Sequence, residues 1–172
     1  MIGSLDRKRL HVTGVPGTGD IEMDEPATPA KFVSLGAFAE IGPRELDELA
    51  QSARRAVTGR ARICLHADHA DPVQEMVIAL RQDKPIAAHR QAGRRRKSYH
   101  LLEGKLWVVV FDDSGKRIRE SILGTTEGCA PVLTFPPGTW HACAALSPVA
   151  IYLETISGPF DATATSWQSW MP

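Results

Sequence analysis

The sequence lacks a hydrophobic run long enough to cross a membrane. Its longest strongly apolar run covers residues 106–111, whereas a membrane-spanning helix needs about 20 consecutive apolar residues. Near the N-terminus, charged residues stand where a signal peptide would have its hydrophobic stretch. These residues are Asp6, Arg7, Lys8 and Arg9. We therefore expect a cytoplasmic protein with neither a membrane span nor an export signal.

Cysteine is scarce, and the charge has no excess of either sign. The three cysteines, Cys64, Cys129 and Cys143, form no Cys-x-x-Cys pair, which favours reduced thiols over a disulfide framework. Lysine and arginine together number 20, as do aspartate and glutamate, so the formal net charge is +0. This balance argues against a uniformly basic surface for nucleic acid or membranes. We expect neither as a partner.

The first part of the chain lacks an apolar period. Residues 1–30 are rich in glycine, proline and threonine toward their end, which predicts a flexible leader. The glycine-rich segment 14–20 lacks the lysine and the following serine or threonine of a phosphate loop, and no strand precedes it. Residues 31–172 are then expected to form one domain, which is long enough to bury its own core.

Two amphipathic helices are predicted before the main run of strands. The first covers residues 43–57, with Pro43 in its first turn and leucine and alanine along one face. The second covers residues 72–81, where Asp71 suits the N-cap and Val73, Met76, Val77 and Leu80 recur at helical spacing.

The rest of the chain is typical of an antiparallel β-protein. Short apolar or alternating runs are separated by turn residues at intervals of about 8–12 residues, which indicates a sandwich or barrel. No connection among these runs is long enough for a crossover helix, so the pairing should be antiparallel. The predicted strands cover residues 85–91, 98–103, 105–111, 117–123, 132–135, 140–146 and 149–155.

Two histidines stand on different predicted strands. His89 shares a strand face with Ala87 and Gln91, and His141 follows a Pro-Pro-Gly turn and is in phase with Cys143. Histidines that enter a small barrel from different strands could bind a metal through their imidazole nitrogens.

These motifs resemble those of the cupins, and in particular the WbuC-like cupins, over about residues 44–172. The most specific matching stretches are Pro136-Pro137-Gly138-Thr139-Trp140-His141 and Phe111-Asp112-Asp113. The other matching stretches are Leu65-His66, Val73-Gln74, Ala88-His89-Arg90, Leu102-Glu103-Gly104-Lys105, Leu153-Glu154 and Gly158-Pro159-Phe160-Asp161. The resemblance implies an all-β, antiparallel cupin jelly roll (a double-stranded β-helix) with short N-terminal helices, often a homodimer.

The resemblance also implies a divalent metal ion (Zn, Fe, Ni or Mn) and a role in surface-polysaccharide metabolism. His89 and His141 match metal ligands of the family. Gln91 stands where the family has its second histidine, and Lys97 stands where it has a glutamate. The metal site is therefore degenerate: His89, His141 and Gln91 are the candidate ligands, while a metal-free pair of pocket histidines is the alternative. Cys143 is a further candidate ligand.

The segment 94–97 holds four consecutive cations, with Arg90 nearby. It is either a solvated loop or an anion clamp, since guanidinium groups suit carboxylates and phosphates. We expect a ligand pocket with Arg90, Lys97, Tyr99 and Cys143 in or near it. Its ligand would be a small molecule that carries a sugar or a phosphate.

Two functions stay open from the sequence. The first is a metal-dependent enzyme that acts on a carbohydrate-related substrate, with the metal as a Lewis acid. The second is a non-catalytic module that binds a small anion through Arg90, Arg94 and Lys97 without a metal. No catalytic residue is assigned. Glu154 would be a general base if it pointed inward, but an exposed carboxylate at a strand end is expected.

Overall fold

The computed structural model of the protein describes residues 22–24, 30–32 and 38–168. The predicted leader, residues 1–30, lies outside these ranges apart from residues 22–24 and Ala30, which belong to strands. Its boundary at residue 30 therefore stays a prediction. Within the described ranges, no helix has the length and apolar character that a bilayer crossing demands.

The described residues form strands, one α-helix and one short 3₁₀ turn. The helix is α1 (Pro43–Arg55), and the turn is Ala162–Ala164. The strands are β1 (Glu22–Asp24), β2 (Ala30–Phe32), β3 (Arg60–Cys64), β4 (Val73–Arg81), β5 (Ile86–Gln91), β6 (Lys97–Glu103), β7 (Leu106–Phe111), β8 (Arg117–Leu123), β9 (Val132–Phe135), β10 (Trp140–Ala145), β11 (Val149–Ser157) and β12 (Thr165–Trp167).

The strands form two sheets that enclose the main core. One sheet has the order β1-β2-β3-β4-β11-β6-β9, and the other has the order β12-β5-β10-β7-β8. The named strands pair antiparallel, as predicted, except that β2 pairs parallel with β3. The core takes side chains from both sheets, so each sheet covers the apolar face of the other. Its members include Leu80, Tyr99, Leu101, Leu106, Val108, Leu123, Phe135, Cys143 and Tyr152.

Helix α1 covers the outer face of the larger sheet. Proline at the first helical position and the Glu45 carboxylate, which accepts from the Gly42 N–H at 3.0 Å, fix its start. Leu49, Ala50 and Ala53 are buried against side chains of β3, β4 and β11. The prediction of this helix is confirmed, and it ends two residues earlier than expected, at Arg55.

The predicted second helix, residues 72–81, is wrong: these residues form strand β4. Alternate side chains of β4 point to opposite faces, and both faces are covered. Gln74, Met76 and Ile78 line a cavity between the sheets, while Val77 and Ala79 pack in the cluster with α1. A strand that is buried on both faces has no polar–apolar alternation, so its apolar residues matched a helical spacing by coincidence.

The turn before β4 also resembled a helix start. The Asp71 carboxylate accepts from the Val73 N–H at 3.1 Å, which is the local bond that both an N-cap and a tight turn can make. The predicted strands correspond to β5–β11: β8 and β9 have the predicted bounds, and the others differ by one or two residues at an end. The prediction omitted β3 and the three-residue strands β1, β2 and β12.

Candidate functional site

A cavity of about 470 Å³ lies between the two sheets and opens to solvent. Its buried lining side chains include His89, Lys97, Tyr99, Tyr152 and Glu154. They come from β5, β6 and β11, so the cavity is formed by strands of both sheets. The chemistry of the cavity follows from these buried groups.

His89 and His141 meet because β5 and β10 are neighbours in the smaller sheet. The two residues are register partners, and their ring centroids are 4.4 Å apart. Each ring places Nδ1 at a backbone carbonyl two residues earlier: Ala87 O at 3.0 Å and Thr139 O at 2.9 Å. A carbonyl oxygen only accepts, so each Nδ1 carries the proton and each Nε2 has a free electron pair.

The two imidazoles differ in access. His89 lines the cavity, and its ring centroid is 5.1 Å from that of Trp167. His141 lies deeper, 4.5 Å from the Phe135 ring, and its Nε2 accepts from the Tyr99 hydroxyl at 3.2 Å. Only the His89 ring is therefore open to a ligand in the cavity.

Both imidazoles are neutral at pH 7. Burial is the larger cause and the charge of Lys97 the second, and together they lower the pKa of His89 to about 4. The same two causes hold the pKa of His141 well below its ordinary value. A neutral imidazole acts as a hydrogen-bonding group here and adds no positive charge to the cavity.

Two charged side chains in the lining of the cavity form a buried ion pair. Lys97 Nζ lies 3.2 Å from Glu154 Oε2, and the two side chains are only 5% and 11% exposed. Glu154 is opposite Tyr99 on the neighbouring strand, and Lys97 is opposite Ile156, so the pair is a diagonal contact between β6 and β11. The expectation that Glu154 is exposed is wrong, because it points inward to this lysine.

Comparisons with known proteins bear on the fold. The model of a family described as a domain of unknown function (DUF6016) matches residues 41–123, and no curated protein matches the sequence. Protein SO0799 from Shewanella oneidensis is similar in structure, with a TM-score of 0.51 and 16% identity over 58% of this chain and 64% of that one. Oxalate oxidase in complex with the substrate analogue glycolate is also similar, with a TM-score of 0.51 and 13% identity over 66% of this chain and 57% of that one.

The chain has the cupin fold. The predicted all-β, antiparallel jelly roll is thereby confirmed, with one α-helix in the described part rather than two. The chain spans less than two thirds of the length of either similar structure, and identities this low establish the fold alone. The WbuC-like branch stays a prediction.

The residues around this cavity do not suit a divalent metal ion. Of the predicted ligands, His89 and Gln91 line the cavity, but His141 Nε2 is already bonded to Tyr99. The ammonium of Lys97 adds a positive charge that repels a cation at the same place. In the described ranges, no three histidine, cysteine, aspartate or glutamate side chains are grouped as metal ligands. A site with two imidazoles and an amide is incomplete.

The other predicted ligand-binding residues divide into two sets. Lys97 and Tyr99 line the cavity, and their role in ligand binding stays a prediction. Arg90 lies outside it: its guanidinium is 2.9 Å from Asp113 and stacks over the Trp140 ring at 4.5 Å. This is the opposite face of β5 from His89, so Arg90 cannot share a ligand with Lys97.

Cys143 is in the core rather than in the lining. It is 2% exposed, and burial raises the pKa of its thiol to about 12. A protonated thiol in that position is neither a nucleophile nor a metal ligand. Its in-phase position with His141 is confirmed, because both side chains are buried on β10.

Several lining residues escaped the sequence prediction. Arg60 and Arg62 come from the unpredicted strand β3, and Trp167 comes from the unpredicted strand β12. Arg95 belongs to the predicted cationic run, and its guanidinium donates to the backbone carbonyls of Ser157 and Pro159. The Arg-Ala-Arg-Ile alternation of β3 is the signal that would have placed both arginines on one face.

Proposed function

We propose that this protein binds a small organic anion in the cavity between its sheets, without a metal ion. One observation carries the proposal: the cavity lining holds more fixed positive than negative charge. Its cationic side chains are Arg60, Arg62, Arg95 and Lys97, and its carboxylates are Glu154 and Asp161. The lining histidine with a lowered pKa, His89, does not alter this balance at neutral pH.

The surroundings strengthen the attraction of this charge for an anion. Walls of low polarity focus the field of the cations into the cavity, and guanidinium groups bind carboxylates and phosphates in a planar, two-pronged geometry. A volume of about 470 Å³ falls in the range of small-molecule sites. The ion pair with Glu154 holds the Lys97 ammonium in a fixed position inside the cavity.

A metal-dependent enzyme that acts on a carbohydrate-related substrate in surface-polysaccharide metabolism is the second candidate. The convergence of His89 and His141 within 4.4 Å supports it, as does the resemblance to WbuC-like cupins. The surroundings of the two rings disfavour it, because His141 Nε2 is bonded to Tyr99 and the Lys97 ammonium would repel a cation. A sugar- or phosphate-bearing ligand fits both candidates, while the homodimer and the cytoplasmic location stay predictions.

Calorimetric titration of the purified full chain tests the proposal. Glucose 1-phosphate and benzoate serve as anionic probes, and glucose and benzamide as their neutral counterparts. We expect the anions to bind at least about tenfold more tightly than the neutral probes, because a hydrogen bond to a charged group contributes about 1.5–3 kcal/mol. Equal or absent binding of all four compounds would overturn the proposal.

Two variants locate the bound anion. Arg62→Met removes a lining cation that is not part of the buried ion pair, and we expect it to weaken anion binding about fivefold or more. Lys105→Met removes an exposed cation outside the cavity lining and should leave binding unchanged. Treatment with a chelator should also leave the affinity unchanged. Loss of binding on chelation, with recovery on addition of Zn²⁺ or Mn²⁺, would favour the metal-dependent candidate.

A further inference from the structure

We infer that the anion is an arylcarboxylate, a flat aromatic ring that bears a carboxylate. This inference rests on the proposed function and adds the shape of the ligand. It comes from the aromatic rim, which we define as Phe160 and Trp167, at the solvent-exposed edge of the cavity. The buried pair Lys97 and Glu154 is called the floor of the cavity. The rim and the floor suit different parts of one ligand molecule.

The rim exposes two large aromatic side chains next to the cavity. Phe160 is 50% exposed and Trp167 is 58% exposed, yet both line the cavity. Aromatic surface that stays in contact with water does not contribute the favourable free energy of hydrophobic burial. A ligand ring that stacks on them would recover it.

The rim is held by the backbone. The Phe160 N–H donates to His69 O at 2.7 Å, and the two rings are 4.8 Å apart. Trp167 belongs to β12, where it is the register partner of His89, and the next residue donates its N–H to Ala88 O at 3.0 Å. Rings fixed in this way lose little entropy on binding.

The apolar part of the lining suits a ligand with an apolar body and one polar substituent. Met76, Ile78, Ile86 and Ile156 line it. The Tyr152 hydroxyl lies beside the Cys143 thiol, is fully buried and has no oxygen or nitrogen partner within the described part of the chain. Its partner there is the Cys143 sulfur, which is a weak hydrogen-bond acceptor, so an oxygen acceptor on the ligand ring would replace a weak hydrogen bond with a stronger one.

The charged end of the ligand then belongs at Lys97, with the aromatic body toward the rim. The ligand carboxylate would accept a hydrogen bond from the Lys97 ammonium, which also contacts Glu154. The Nε2 atom of His89 would accept a hydrogen bond from any donor on the ligand ring. A ligand of this class occupies the polar floor, the apolar walls and the rim together. A simple inorganic anion would occupy only the floor.

The test compares 4-hydroxybenzoate, acetate and glucose 1-phosphate in titrations of the full chain. We expect 4-hydroxybenzoate to bind at least about tenfold more tightly than acetate. Phe160→Ala and Trp167→Ala should each weaken 4-hydroxybenzoate binding by about 3–10-fold, the range of one aromatic stacking contact, and leave acetate binding unchanged. Ile118→Ala, an exposed apolar side chain outside this cavity, should change neither.

The outcomes separate this inference from the proposed function. If no anion binds, the proposed function fails and this inference fails with it. If 4-hydroxybenzoate and acetate bind equally, or the rim variants have no effect, anion binding stands and the aryl class is overturned. Tighter binding of glucose 1-phosphate than of 4-hydroxybenzoate also overturns it, since the rim then stacks on a sugar ring.

Discussion

Lys97 and Glu154 are buried together, so each side chain depends on the other for its stability in the folded protein. Replacing Lys97 with methionine leaves Glu154 as a lone charge in a site of low polarity. We expect Lys97→Met to lower the free energy of unfolding by about 3–5 kcal/mol. The double variant Lys97→Met with Glu154→Leu should recover most of this loss, because two apolar side chains of similar size replace the pair.

Urea denaturation of the two variants and the unmodified protein measures these free energies. Lys105→Met, which removes an exposed lysine, is the control and should change the stability by less than about 0.5 kcal/mol. A double variant as unstable as Lys97→Met would show that the charges are coupled to something other than each other.

His89 should make stability depend on pH. In the unfolded chain its imidazole titrates at about 6.5, whereas in the fold its pKa is lowered to about 4. Between these values the unfolded chain binds the extra proton and the folded chain does not. The contribution of His89 is therefore complete above about pH 6.5 and is lost as the pH falls to about 4, a change of about 3 kcal/mol.

Urea denaturation at several pH values checks this prediction. His89→Asn keeps a hydrogen-bonding side chain and removes the titrating group. The unfolding free energy of this variant should therefore depend less steeply on pH, and the difference in slope should correspond to about one bound proton. The lowered pKa of His141 acts in the same direction and leaves a residual slope. An identical slope in the variant and the unmodified protein would contradict the assignment.

At the scale of single residues, the sequence predicts the two histidines but not the partner of Lys97. The turn Pro136-Pro137-Gly138 and the alternation of β5 and β10 are local features, and they place His89 and His141 toward the same interior. The contact of Lys97 with Glu154 depends on the register between β6 and β11. That register shifts near Ile151 and Tyr152, and no local pattern encodes the shift.

At the scale of elements, α1 is tightly packed through its alanines. Ala53 is fully buried between the helix and the larger sheet, whereas Gln51 on the same helix is exposed. We expect Ala53→Leu to lower the free energy of unfolding by about 1–3 kcal/mol through overpacking. Gln51→Leu adds a leucine to the same helix and should change stability by less than about 0.5 kcal/mol. Thermal unfolding of both variants distinguishes overpacking from a general effect of leucine.

Strand β4 shows why the pattern of a single element can mislead. Its sequence fits a helix and a strand equally well, since both of its faces are apolar. The neighbouring strands decide between the two structures, because β3 and β11 pair with β4 on either side and form hydrogen bonds with its backbone N–H and C=O groups. Strand β8 is exposed at most of its positions, and it was predicted at its observed bounds because turn residues precede it.

At the scale of the whole molecule, the antiparallel class and the presence of a pocket were predictable, but much of the lining of the cavity was not. Regular spacing of short strands and the turn residues between them determine the antiparallel class. The cavity also needs β3 and β12, which the prediction omitted, and with them Arg60, Arg62 and Trp167. Its charge balance therefore emerges only once the distant ends of the domain are brought together.

The two-sided burial of β4 connects helix α1 with the cavity between the sheets. Val77 and Ala79 touch the helical layer, while Met76 and Ile78, interleaved with them, form a wall of the cavity. Substitutions in α1 would therefore shift that wall, and they would alter the binding of the proposed anion through residues that do not contact it. The shape of the cavity could therefore be altered in engineered variants by substitutions in α1.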